Sequence, residues 1–107
     1  MLNTFSNHNF GGIEGHYSNK ENARFLILPV PYEATTTYMA GARFGPQAII
    51  DTSCNMELYD EELLQETYKA GIHTFPFIEP IAAGPEYMAN ALSEYITEEI
   101  SKNKVLI

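Results

Sequence analysis

Phe25-Leu26-Ile27-Leu28 is an unbroken apolar run, and it is followed at once by Pro29 and Pro31. A strand with one wet face alternates apolar and polar residues. A continuous run marks a strand covered on both faces, as in a parallel sheet between layers of helix. Neither proline can donate to a ladder, so regular pairing is expected to fade from Pro29 onward. The chain then opens into Tyr32-Glu33-Ala34-Thr35-Thr36-Thr37-Tyr38, a polar loop at the carboxyl end of a strand. Open α/β sheets place their ligands there.

Gly41-Ala42-Arg43-Phe44-Gly45-Pro46 closes that loop. Pro46 suits the first position of a helix, where a missing N–H costs nothing. The helix is predicted to run to about Asn55, with Ile49, Ile50 and Cys54 on its apolar side. Arg43 either ties the loop down or faces solvent, and a structural salt bridge is the preferred reading. Gly71 to Phe77 reads as a second strand, confined by Pro76 and Pro80 to an edge. Residues 85–102 carry Met88, Leu92, Ile96 and Ile100 at a spacing of four, which predicts an amphipathic helix begun by Pro85 and closed near Asn103. Lys104 to Ile107 begins another apolar strand.

Strands alternating with helices predict a three-layer α/β architecture. Residues 1–23, rich in Asn and Gly, are read as an irregular amino-terminal arm, and residues 24–107 as a partial α/β domain. So few strands and helices do not cover one another. The chain is therefore expected to be part of a larger domain, with open strand edges that invite aggregation.

Composition narrows the function classes. Six basic residues against fourteen acidic ones give a formal net charge of −8, which argues against a phosphate-tracking nucleic-acid binder. No apolar run approaches the roughly 20 residues that span a bilayer, and the first residues lack the pattern of a signal peptide. Neither nucleic acid nor membrane is expected as a partner. The single cysteine, Cys54, excludes an internal disulfide framework, fits a reducing cytoplasm, and is read as a buried filler.

Chemistry is not visible in the residues taken alone. His8, His16 and His73 lack partners at recognised spacing. Glu57, Asp60, Glu61, Glu62 and Glu66 lie on one run, which is read as a solvated face rather than converging metal ligands. Gly41 to Pro46 lacks the Lys-Ser/Thr of a phosphate loop, and there is no serine nucleophile elbow.

The block Leu28 to Glu33, then Thr35 to Tyr38, Gly41 to Pro46 and Ala48 to Ile50, resembles the amino-terminal region of the ureohydrolases, the arginase, agmatinase and formiminoglutamase family. Asn9 to Gly12, Asn22 to Arg24 and Leu58 to Glu61 are similar to its agmatinase branch. Gln47 and Asp51 depart from the basic residues usual around that helix, and Met39-Ala40 from its usual turn.

The resemblance implies the amino-terminal part of an α/β/α arginase-like fold with a mainly parallel sheet. It also implies a parent enzyme in which two Mn²⁺ ions support hydrolysis of agmatine to putrescine and urea. Arginine or another guanidino compound is the near alternative, and a trimer or hexamer the expected assembly. The family's ligands lie in Gly-Gly-Asp/Glu-His, Asp-Ala-His-x-Asp and Asp-x-Asp-x-x-Asp-Pro motifs, and this sequence contains none of them. No catalytic residue and no metal ligand is therefore assigned. The chain alone is expected to bind no manganese and to be inactive. Tyr32, Glu33, Thr36, Thr37 and Tyr38 are the candidates for the mouth of the substrate site, with a merely structural loop as the other reading. A natural short non-catalytic protein, acting in assembly or partner binding, is the alternative of a different class.

Overall fold

The structure, a computed structural model, describes residues 4–5, 8–33, 41–101 and 103–107. Its strands are β1 (Thr4–Phe5), β2 (Phe25–Ile27), β3 (Ile72–Thr74), β4 (Phe77–Ile78) and β5 (Val105–Leu106). Its α-helices are α1 (Gly45–Ser53) and α2 (Pro85–Glu99), and short 3-10 turns occur in the arm and the loops.

The apolar run at Phe25 is the middle of the sheet. β2 pairs in parallel with β3 on one side and β5 on the other. The ladder continues past β5, where Ile107 donates to the Leu26 carbonyl at 2.8 Å and Leu28 donates to the Ile107 carbonyl at 3.0 Å. β3 is an edge strand, as its prolines predict. Pro76 interrupts it, and the chain resumes as β4, which pairs antiparallel with β1. The arm is thus held by the body of its own chain.

Leu26 is fully buried, with Ala23 and Phe75 beside it and Leu28, Tyr95 and Ile100 packed around them. α2 supplies that cover. Phe25, Ile27 and Ile72 point the other way and are only half-buried. The expectation of a strand covered on both faces is therefore met on one face. One long helix covers one side, and among the described residues the opposite side is covered by the arm and the 56–68 segment. These leave an apolar cavity of about 420 Å³ lined by Phe10, Ile13, Phe25, Ile27, Ile72 and Ile107 among others.

Both helices are shorter than the sequence predicts. α1 stops at Ser53 because the next three amides bond three residues back, from Cys54 to Asp51, Asn55 to Thr52 and Met56 to Ser53. Its buried residues are Ile50 and Ser53, not Cys54, which is exposed, and not Ile49, which is 63% exposed. A polar contact decides this. The Gly11 amide donates to Ser53 Oγ at 2.8 Å, and Ser53 Oγ donates to the Ile50 carbonyl at 2.6 Å. That pairing turns the serine inward and leaves the cysteine at the rim. α2 ends at Glu99 rather than near Asn103 because Ile100 turns extended and packs on the core. Lys102 lies outside the described residues.

Lys104 and Lys20 lock the arm to the sheet. Lys104 Nζ donates to the carbonyls of Lys20, Glu21 and Ala23 at 2.7, 3.1 and 2.6 Å, using all three ammonium protons. Lys20 pairs with Glu99 at 2.8 Å and lies 5.5 Å from the Phe75 ring centroid.

Candidate functional site

β2 loses its ladder at the prolines, so Tyr32 and Glu33 leave the carboxyl end of the central strand, where a parallel sheet presents ligands. Glu33 is drawn inward and its side chain is 9% exposed. Its Oε1 accepts from the backbone amides of Gly41 and of Ala42, the latter at 2.7 Å. Its Oε2 lies 3.3 Å from Arg43 Nε. The Gly41 amide is the largest influence holding this carboxyl below its usual value; partial desolvation opposes it, and Ala42 and Arg43 reinforce it. Gly41 has φ +145°, a conformation that presents its amide to the carboxylate and that L side chains rarely adopt. Arg43 then stacks on its neighbour, with its guanidinium 4.9 Å from the Phe44 ring centroid.

Two cavities adjoin this cluster. One, of about 230 Å³, is lined by Pro31, Tyr32, Glu33, Arg43 and residues 80–82. The other, of about 510 Å³, shares Pro31, Arg43 and Pro80 and adds Phe44, Gln47 and Phe77. Tyr32 Oη is buried and has no hydrogen-bond partner among the described residues. Of the five mouth candidates, the structure brings Tyr32 and Glu33 together at one cavity, and Thr36, Thr37 and Tyr38 lie outside the described residues.

The expected ion pair at Arg43 is present, and its partner is Glu33. Sequence reasoning did not pair them, because they stand on opposite sides of the loop. An acid and a base flanking a Thr-rich segment is the signal that points to it. The histidines are structural or superficial. His73 Nδ1 lies 2.8 Å from the Ser18 carbonyl, edge-on to Phe75, and His16 lies 3.3 Å from the Asn22 side chain. The acidic run folds on itself, with Asp60 Oδ1 accepting from the amides of Glu62 and Leu63.

A metal centre needs several ligands converging from different elements. Among the described residues no three of His, Cys, Asp and Glu come together to hold an ion. These residues do not fit the manganese site that the resemblance implies.

A three-stranded parallel sheet with helices is consistent with part of an α/β arginase-like fold. The arginase family model matches residues 23–107, and the chain belongs to that family. Among curated proteins, it is 37% identical over 78 residues to the N(1)-aminopropylagmatine ureohydrolase of Synechocystis sp., covering 72% of this chain and 24% of that protein. To the enzyme of the same name from Thermococcus kodakarensis it is 37% identical over 82 residues, 77% of this chain and 28% of that protein. To the agmatinase of Pyrococcus horikoshii it is 44% identical over 39 residues, 36% and 14% of the two chains. The chain spans about a quarter of the length of the first of these relatives. No solved structure matches it at a significant level.

Proposed function

We propose that this chain is the strand–loop–helix opening of a ureohydrolase that releases urea from agmatine or its N(1)-aminopropyl derivative. The match of residues 23–107 to the arginase family carries this reading. The names of the relatives, ureohydrolases of N(1)-aminopropylagmatine and of agmatine, favour guanidino polyamines over arginine in this reading. The N(1)-aminopropyl substrate gains weight over agmatine from its longer matched stretches, 78 and 82 residues against 39.

In this reading the described residues build scaffold and site mouth. Tyr32 and Glu33 form the mouth wall, and Thr36, Thr37 and Tyr38 belong to the same proposal. Manganese dependence, a trimeric or hexameric assembly and a cytoplasmic setting complete it. The single cysteine supports the last, and no helix among the described residues is long and apolar enough to cross a membrane.

Urea release from agmatine, N(1)-aminopropylagmatine and arginine, measured with and without added manganese on the protein as produced from its gene, tests the proposal. Manganese-dependent turnover of either polyamine is the expected result. Turnover of arginine alone, or of none of the three, overturns it. The 107 residues expressed by themselves are expected to release no urea above background.

A further inference from the structure

Glu33 does more than fill space. One carboxylate gathers the amides of Gly41 and Ala42 and the guanidinium of Arg43, across the residues that separate the end of β2 from α1. Charge-assisted hydrogen bonds of this kind are stronger than neutral ones. The same carboxylate and the same guanidinium line the cavity beside Tyr32, and Arg43 is also a wall of the adjoining cavity. Gln47, on the first turns of α1, is another wall of that second cavity. Glu33 therefore holds Arg43, which both cavities share, two residues before α1 begins.

The acid is occupied by its own loop, so a cationic substrate would have to compete with Arg43 for it. We propose that Glu33 is a positioning residue of the ureohydrolase site. It holds Arg43 and the start of α1 against the carboxyl end of β2, and so sets the mouth through which a guanidino polyamine is admitted, without itself being the group that binds the guanidinium. This rests on the functional reading above.

Glu33→Gln keeps the side-chain volume and one acceptor while removing the charge that faces Arg43. In the protein as produced from its gene, this variant is expected to raise KM for the polyamine about tenfold while kcat changes less than about threefold, the pattern of lost binding rather than lost chemistry. Arg43→Gln should do the same, and the double variant should be no worse than either single one, because the two residues act as a unit. Glu33→Asp should recover most of the loss. Hydrogen exchange of the Gly41 and Ala42 amides, followed in parallel, should quicken by about tenfold or more in Glu33→Gln.

Faster exchange with unchanged kinetics would make Glu33 a structural tie only and overturn the proposal. So would exchange and kinetics both unchanged. A change in kcat alone would also sink it, by assigning Glu33 to the chemistry. Wild-type protein inactive on every guanidino compound would instead remove the functional reading, and with it any part for Glu33 in that reaction.

Discussion

The two faces of the sheet are built from equally apolar residues and end in different states. Leu26 points under α2 and is fully buried, whereas Ile27, next in the chain, points to the cavity between the sheet, the arm and the 56–68 segment and is half-buried. Nothing in the two side chains accounts for this. On one face a 15-residue helix delivers Tyr95, with Ile100 just beyond its end. On the other, the cover is a 3-10 turn held by polar contacts, the Phe10 amide on Thr74 Oγ1 at 2.9 Å and the Gly11 amide on Ser53 Oγ at 2.8 Å. Burial is a property of what packs on a strand as much as of the strand.

The sharpest way to break this comparison is to truncate both residues. Leu26→Ala is expected to cost about 2–5 kcal/mol, the range for a large buried aliphatic. Ile27→Ala should cost only about 1–2 kcal/mol, in proportion to its partial burial. Urea unfolding midpoints of the two variants decide it, and equal losses would mean that the second face is covered as completely as the first.

A second pair sharpens the same contrast through the backbone. Gly71 has φ +90°, and a Cβ there would meet Ala23 Cα at 2.7 Å and the Asn22 carbonyl oxygen at 3.0 Å, both backbone atoms beside the covered core. Gly71→Ala should therefore cost on the order of 3 kcal/mol, adding a clash that cannot relax to an unfavourable φ. At Gly11, φ +69° under the open face, the nearest atoms to a Cβ would be in the Ile13 and Leu58 side chains, at 3.3 Å or more. Gly11→Ala should cost about 1–2 kcal/mol, mostly the backbone penalty, because the end of the Ile13 side chain can give way. Thermal midpoints of the two variants measure the difference.

The smallest effect is expected where the strand leaves both faces. Tyr32→Phe removes a buried hydroxyl with no described partner, so stability should hold within about 0.5 kcal/mol or rise by up to about 1 kcal/mol. A clear loss in the same unfolding assay would show that the hydroxyl is satisfied by the neighbouring loop.

Local patterns carried much of this fold. The order of strands and helices, the proline-limited edge at β3 and the start of α1 around Pro46 are all consequences of short-range chemistry. Errors arose where a neighbour distant in sequence chose the outcome. Cys54 and Ile49 carry apolar side chains on α1, yet Ser53 took the inward position because an amide from the arm needed an acceptor. Lys104 looked like no more than the head of a strand, and it proved to be the clamp on three arm carbonyls more than 80 residues away in sequence. At the site, the ion pair of Arg43 was legible, and the inward turn of Glu33 was not.

The sequence by itself determined that a continuous apolar run broken by prolines would make a parallel-sheet strand whose ladder fades at Pro29. Hydrophobicity and the missing proline N–H act within a few residues, so that much is written locally. Only the tertiary structure decided which face of that strand is sealed and that Glu33 spends its charge on Gly41, Ala42 and Arg43. Those outcomes depend on which orphan amides and carbonyls meet once the chain has folded, and each buried polar group must then find a partner wherever the fold has put one.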